Sequence, residues 1–593
     1  LDGSGRQEGN GPLYVIINLM SIPQEYTKEP RIAYFTMEIG LRDDIHTYSG
    51  GLGVLAGDIV RSAADLNIPF VAVTLISRRG YFNQELDEKG HQIELPATWE
   101  PSRHMTMIPD KVSIELEGRR VYLQAWVYFV ESLRGWKVPV IFLDTDLPEN
   151  SADDRKITDY LYGGDEAYRM KQEAVLGIGG VRILKKLGFN IKKYHMNEGH
   201  AAFLTLELLH EYKRDIESVW DETHIWDIDT VREFCVFTTH TPVEAGHDKF
   251  PYELYNRLLG KYFPENVLKR LAGEKCLNMT LLALNLSKYI NGVAKRHGEV
   301  SKEMFPGYQI NAITNGVHSY TWTSESFRRL YDKYLPGWAN EPEIFVRVGI
   351  IPDEELWNAH MEAKRRLIDY VKEATGVNMN YDTLTIGFAR RATSYKRADL
   401  LFYDIERLEK IGRGRLQIIY AGKAHPKDTE GKLIIEKIFS SIQRLKNTIE
   451  IAFLKNYNME IALKLVSGVD VWLNTPLRPY EASGTSGMKA AHNGVLNFSV
   501  LDGWWIEGHI EGYTGWSIGP EPDATPQNTQ TIDDINRVDA EDLYHKLEDE
   551  IIPTFYNDRK RWIRMMQNAI GKNAYYFNTH RMMRRYVTEA YIR

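Results

Sequence analysis

Two series of short apolar runs, each followed by amphipathic stretches, limit what this chain can become. In the first half the runs are RIAYFT (31–36), FVAVTLI (70–76), VPVIFLD (138–144), KYHM (193–196) and FCVFTT (234–239). Helical patterns lie between several of them, such as Ala167–Leu187 and Ala201–Lys213. The stretch from 111 to 130 alternates polar and apolar residues and reads as an antiparallel insertion. From about residue 320 to 380 the chain is helical and loop-like, and then a second series starts. LTIGFA (384–389) precedes a helix expected over Tyr395–Glu409, and LQIIYAG (416–422) precedes Thr429–Leu445. IEIAFL (449–454) precedes Met459–Ser467, and VDVWLN (469–474) precedes a Gly-rich loop and its helix. This order predicts an α/β protein with parallel sheets and helices on both faces. Two such series predict two doubly wound, Rossmann-like domains facing a cleft.

At 593 residues the chain is too long for one hydrophobic core. Its net charge of -8, with both signs interspersed, argues against the basic face of a nucleic-acid binder. The two cysteines, Cys235 and Cys276, are too few for a disulfide framework or a zinc cluster, and Cys235 is expected to be buried. No apolar stretch is long enough to span a bilayer. The first residues, LDGSGRQEGNGP, are expected to be poorly ordered. The following YVIINLM lacks the basic flank and cleavage site of a signal peptide, so a cytoplasmic protein with no membrane partner is expected.

In an open parallel sheet, ligands bind beyond the carboxyl ends of the strands. Glu38 and the loop to Gly51 follow the first run; Asn197, Glu198 and His200 follow KYHM; His240 follows FCVFTT; Asn315 follows NAIT. In the second half, Arg390, Arg391 and Lys396 follow LTIGFA, and Lys423 and His425 follow IIYAG. The segment Glu481–Lys489 follows VDVWLN, so the unusual polar groups of both halves converge on one rim.

Three clusters on that rim carry chemistry. Gly51-Leu-Gly53-Val-Leu-Ala56 satisfies G-x-G-x-x-G/A, a pattern open to a dinucleotide, to a tight turn, or to the phosphate that a helix start favours. EASGTSGMKAAHNG, Glu481 to Gly494, can offer backbone amides and hydroxyls from Ser483, Gly484, Thr485, Ser486 and Gly487 at a helix start. Lys489, one turn in, can contact a phosphate, form a Schiff base if desolvated, or be a solvated surface lysine. Arg391 and Lys396 flank a turn where both can clamp a tetrahedral anion. Cations at a helix start oppose the helix dipole unless an anion is present. His195 and His200 are spaced five apart rather than four, which argues against a shared metal, and no metal is expected. Trp504 and Trp505 read as core packing.

Together these motifs resemble the α-glucan phosphorylases, the pyridoxal-phosphate enzymes that include glycogen, starch and maltodextrin phosphorylases, and most of all their short bacterial and archaeal members. The resemblance rests on YSGGLGVLAGD, HMNEGH, TTHTP, TNGVHSYTW, RRATSYKR, AGKAHP, EASGTSGMK and LDGWW, in order from Arg31 to the C-terminus. It implies the glycosyltransferase B-type fold, with an N-terminal extension over 1–30, domains over 31–320 and 321–575, and a final helix over 576–593 crossing back to the first. It implies that pyridoxal 5'-phosphate is held covalently by Lys489, with Thr485 and Arg390 at its phosphate and Tyr457 and Trp322 near its ring. It implies that Arg391, Lys396 and the Gly51 amide bind inorganic phosphate. His240, Asn315, Glu481, Ser483, Gly484 and Tyr395 would hydrogen-bond the glucosyl unit. The implied reaction is retaining phosphorolysis of an α-1,4-glucan to glucose 1-phosphate in a homodimer.

Departures from the long animal-type members set further expectations. The matching pattern starts at Arg31, which leaves little ahead of it for a phosphorylation switch or nucleotide effector site, so AMP is expected to have little effect. Arg390 stands where the long forms have lysine, and TPLRPY (475–480) differs from their gating segment. The rival readings are a nucleotide-sugar glucan synthase, which has no need of EASGTSGMK, and a glucan-binding protein, which has no need of Lys489 with Arg391 and Lys396. An amino-acid-type pyridoxal enzyme is disfavoured because no Asp stands ready for the pyridine nitrogen.

Overall fold

The computed structural model describes residues 21–592 apart from 216, 218–221, 261 and 523–530. The polar N-terminal stretch and YVIINLM lie outside the described residues. In chain order the first strands are β1 (Arg31–Thr36), β2 (Phe70–Leu75), β3 (Asn83–Leu86), β4 (Gln92–Leu95), β5 (Thr106–Leu116), β6 (Arg119–Glu131) and β7 (Lys137–Asp144). They are followed by β8 (Ile191–Asn197), β9 (Cys235–Thr238), β10 (Lys249–Phe250), β11 (Leu277–Asn278), β12 (Tyr289–Gly292) and β13 (Asn311–Ala312). Nine of them form one sheet, ordered β13-β12-β9-β8-β1-β2-β7-β6-β5. Its strands pair in parallel from β13 to β7, while β5 and β6 join antiparallel, as their alternating sequence predicts. The short pairs β10-β11 and β3-β4 stand outside it.

The second sheet contains β14 (Leu384–Ala389), β15 (Leu416–Ala421), β16 (Glu450–Leu454), β17 (Val471–Asn474), β18 (Leu496–Val500) and β19 (Gly515–Ile518). Its order is β16-β15-β14-β17-β18-β19, parallel throughout. Every residue of β1, β2, β14 and β15 is buried, because helices cover both faces. Each fully buried Val, Ile or Leu side chain there contributes about 1.5–3 kcal/mol.

One helix differs from the sequence reading. Over Tyr395–Glu409 the chain forms two short 3-10 turns, Ser394–Lys396 and Leu400–Phe402, and the α-helix begins only at Ile405. Arg397 adopts φ +46° and sends its guanidinium to the Thr475 and Pro476 carbonyls and to Asp539. Asp404 then caps the helix by accepting from the Arg407 amide at 2.9 Å. Long-range bonds to Arg397 therefore override a helical pattern that looks continuous.

Two features join the sheets. The hairpin β3-β4 reaches from the first sheet to the strand ends of the second: Gln84 Nε2 donates to the Gly422 carbonyl at 2.9 Å, and Gln92 Nε2 to the Ala424 carbonyl at 2.9 Å. Asn456 and Ala424 return backbone N–H bonds to Gln84 and Gln92. Conversely, the helix Thr579–Tyr586 leaves the second half and packs on the first core through Met582, Met583 and Tyr586. Among the described residues no helix is long and apolar enough to cross a membrane.

Candidate active site

Lys489 lies in the helix Thr485–His492, which is entered through Gly484 at φ +89°, a conformation that excludes most side chains. The lysine is 7% exposed, and its Nζ stands 3.8 Å from the ring centroid of Trp322. Burial pulls its pKa down to about 8, with the Asp58 charge opposing and Arg61 reinforcing that shift. A fraction of the amine is therefore neutral, and nucleophilic, near neutral pH.

Arg390 and Lys396, at the end of β14, converge on one carboxylate. Arg390 Nη2 lies 2.5 Å from Glu481 Oε2, and Lys396 Nζ lies 2.9 and 2.8 Å from the two Glu481 oxygens. Burial alone would raise the Glu481 pKa, but the two cations overcome it and hold the carboxyl at about 2. The Nε and Nη1 of Arg390, the Ser483 hydroxyl and the Thr393 hydroxyl are buried without partners. Unused buried donors are costly unless an acceptor reaches them. Arg390 and Ser483, beside the first-turn amides of the Thr485 helix, therefore suit a phosphate group.

The neighbouring turn braces this loop. Asp502 accepts the Glu481 amide at 2.9 Å, and the Trp504 amide donates to the Ser483 carbonyl at 2.8 Å. Burial pushes the Asp502 carboxyl up to about 7. Tyr457 is half-buried near Arg390; burial raises its phenol pKa, and the arginine charge acts against that. Tyr395 lies under Lys396, whose Nζ is 4.5 Å from its ring centroid. Arg391 is exposed and faces the first domain, where its charge acts on Glu38 and Tyr81.

The opposite wall is built from different chemistry. Gly51 opens the helix Gly51–Asp65, and a Cβ on it would meet nothing within 4 Å. Glu38 accepts the amides of Ser49 at 2.6 Å and Gly50 at 3.2 Å and the Tyr162 hydroxyl at 2.9 Å. The adjoining Gly53 has no room for a side chain, because its Cβ would stand 2.6 Å from Glu38 Oε2. His240 Nε2 lies 2.6 Å from Asn197 Oδ1, and Asn197 Nδ2 donates to the Thr36 hydroxyl at 3.0 Å. Burial holds the His240 pKa near 3, so the ring is neutral and donates from Nε2. Its backbone N–H is fixed by Glu198, a non-glycine residue at φ +70° that also accepts from the Thr241 hydroxyl at 2.9 Å. Asn315 is buried, and its carbonyl accepts from Arg581 at 3.0 Å.

The structure thus gathers Lys489 with Trp322, and Arg390, Lys396 and Glu481 with Tyr395, Ser483 and Gly484. Among the described residues no hydrogen bond joins His240, Asn315 or Gly51 to the Glu481 group. His195 is bonded to the Tyr591 hydroxyl at 2.7 Å and to the Thr238 hydroxyl at 2.8 Å, whereas His200 faces Asp248 at 3.5 Å. Trp504 and Trp505 are buried in the core that also contains Met488 and Val54. Sequence reasoning overlooked Asp502 and Asp58, and it placed Glu38 on the rim without a role. The available signal for Asp58 is a single acid inside the apolar run GVLAGDIV.

Two doubly wound sheets meeting at their carboxyl ends belong to the glycosyltransferase B class of folds. Residues 266–512 match the carbohydrate phosphorylase family. The chain is 41% identical to a maltodextrin phosphorylase of Thermococcus litoralis, over 95% of this chain and 70% of that protein. It is 37% identical to a glycogen phosphorylase of Aquifex aeolicus, over 96% of this chain and 87% of that protein, and 37% identical to one of Mycobacterium tuberculosis, over 94% and 70%. The chain belongs to the carbohydrate phosphorylase family and is a glycosyltransferase.

Proposed function

We propose that this protein is an α-1,4-glucan phosphorylase, which reversibly moves the non-reducing terminal glucose of glycogen, starch or maltodextrin onto inorganic phosphate with retention of configuration. The observation that carries this reading is the buried Lys489 amine on Trp322, one turn beyond a loop whose Ser483 has an unused buried hydroxyl and whose Glu481 is held by Arg390, itself with two unused buried donors. Those residues suit an aldehyde-bearing phosphate ester, namely pyridoxal 5'-phosphate. Lys489 would hold it covalently, Thr485 and Arg390 would bind its phosphate, and Tyr457 and Trp322 would flank its ring. When bound, the cofactor supplies a second phosphate group through which a proton can be relayed.

Arg391, Lys396 and the Gly51 amide receive inorganic phosphate. The bond from C1 of the terminal glucose to the glucan oxygen breaks, that oxygen takes a proton from the phosphate, and a phosphate oxygen bonds to C1. Arg390, Arg391 and Lys396 offset the charge of two adjacent phosphates. His240, Asn315, Glu481, Ser483, Gly484 and Tyr395 orient the sugar hydroxyls. Because Glu481 also binds Lys396, sugar and phosphate are positioned through one shared contact. No pair of glycosidase-type carboxylates is needed. The same reading assigns the domains to 31–320 and 321–575, with 576–593 returning to the first, and carries a cytoplasmic homodimer by family resemblance.

The near-ultraviolet spectrum of the purified protein tests it. A bound pyridoxal chromophore that borohydride fixes onto Lys489 is expected, and Lys489→Ala should lower phosphate-dependent release of glucose 1-phosphate by on the order of a thousandfold or more. A colourless protein, or a label on another lysine, would sink the reading.

A further inference from the structure

The helix Gly51–Asp65 carries a buried carboxylate about two turns beyond the glycine that opens it. Asp58 is 1% exposed. Its Oδ2 accepts the Trp322 indole N–H at 2.8 Å and the His318 amide at 3.1 Å, and its Oδ1 accepts from Arg61 at 3.2 Å. Arg61 is itself tied to the loop after β1, donating to the Gly40 and Leu41 carbonyls at 3.2 and 2.7 Å. The other face of this arrangement is the Trp322 ring on which the Lys489 amine rests. One carboxylate from the first domain therefore fixes the floor beneath the reactive lysine of the second.

We propose that Asp58 is a positioning residue for Lys489: by holding the Trp322 indole and placing a buried negative charge beside it, Asp58 couples the lysine's location and protonation to the helix that opens at Gly51. This rests on the reading of Lys489 as the cofactor lysine. The charged side chains that act on the amine are Asp58, which raises its proton affinity, and Arg61, which lowers it, both from this one helix. His318, whose backbone touches Asp58, has its ring engaged by Asp65 at 2.7 Å and by the Thr321 hydroxyl at 2.7 Å. His492, on the lysine's own helix, is bonded to the Met488 carbonyl and to Ser319, and burial holds it near 4, so it is neutral. The coupling therefore has a sign that a purely structural contact lacks. Removing Asp58 should favour the neutral amine, and removing Arg61 should favour the charged one.

The test uses the full-length protein freed of cofactor, with pyridoxal lacking a phosphate as probe. The neutral amine adds to the aldehyde carbon, water leaves, and borohydride delivers hydride to the resulting C=N bond; mass spectrometry then locates the label. Labelling rate is followed from about pH 6 to about pH 10, around the lysine range. Asp58→Asn should lower the midpoint, so that Lys489 reacts about three- to fivefold faster near pH 7, the change expected for half to one pKa unit. Arg61→Gln should raise the midpoint and slow the reaction several-fold. If Asp58→Asn does not fold, as judged by circular dichroism, Arg61→Gln decides alone. Folded variants with unmoved midpoints, or midpoints moving in the same direction, overturn the proposal while leaving the lysine assignment standing. A wild-type protein labelled elsewhere overturns both.

Discussion

The two walls of the cleft hold opposite kinds of chemistry. The first presents neutral groups at its strand ends: the His240 ring held near 3, its partner Asn197, Asn315, and the glycine loop. Its carboxylates, Glu38 and Glu198, are engaged by backbone amides. The second presents the cations Arg390, Arg391, Lys396 and Lys489, and Glu481 balances two of those charges. A neutral wall suits sugar hydroxyls and a carbon that becomes cation-like, whereas a cationic wall suits phosphate. In the proposed reaction the phosphate contacts come mainly from the second wall, joined by the Gly51 amide of the first, and the sugar contacts come from both, so neither wall would suffice alone.

The largest expected effect separates the walls by substrate. Arg391→Ala or Lys396→Ala should lower kcat/KM for phosphate by about a hundred- to a thousandfold, while Asn197→Ala, which frees the His240 ring, should act on the glucan side and cost about tenfold. Initial rates with each substrate varied in turn check this; equal losses for both substrates in all three variants would break the comparison.

Acid should open the first wall sooner. Burial holds His195, His200 and His240 near 3 and His297 near 4, all in the first half, and His580 near 3 on the helix Thr579–Tyr586 that packs against it, whereas His492, also near 4, lies within the second. These folded pKa values lie below the ordinary histidine value of about 6.5. The unfolded chain therefore binds more protons, and stability falls as pH drops from about 6.5 toward about 3, by up to about 1.4 kcal/mol per pH unit for each group. Glu481 has the opposite origin but the same sign. Its carboxyl is held at about 2, so its stabilisation is present above about 4.3 and fades as pH falls toward about 2. Hydrogen exchange near pH 5 should show β8 and β9 losing protection before β14 and β15, and uniform loss would contradict it.

The smallest effect concerns the join between walls. Gly90, at φ +84° in the hairpin β3-β4, has no room for a Cβ, which would stand 2.6 Å from the Phe439 ring of the second domain. Gly90→Ala should cost about 1–3 kcal/mol and separate the melting of the two halves in a calorimetric scan. An unchanged single transition would show that the hairpin does not couple them.

The central strands of both sheets are legible in the amino-acid sequence, whereas β12, β18 and β19 are not among the runs it marks. Fully apolar runs separated by helices specify parallel sheets, and strand-end positions specify the rim, because both follow from local pattern. What stays hidden depends on partners far along the chain. The expected helix over Tyr395–Glu409 is broken by Arg397 reaching Asp539, 142 residues away. Asp58 looks like an ordinary helical acid until Trp322, 264 residues on, closes over it. Asp502 belongs to a recognisable motif, yet its task of holding the Glu481 amide is visible only once β18 has placed the two turns together.

The returning helix sets a timetable for biosynthesis. Tyr591 bonds to His195 across 396 residues, and Tyr586 reaches Asn291 across 295. Both tyrosines fill the core that covers β1, β2 and β9. The first sheet, though made earlier, therefore waits for the segment that carries Tyr586 and Tyr591 before that face is closed. A nascent chain halted after β13 would carry an open apolar groove on that face.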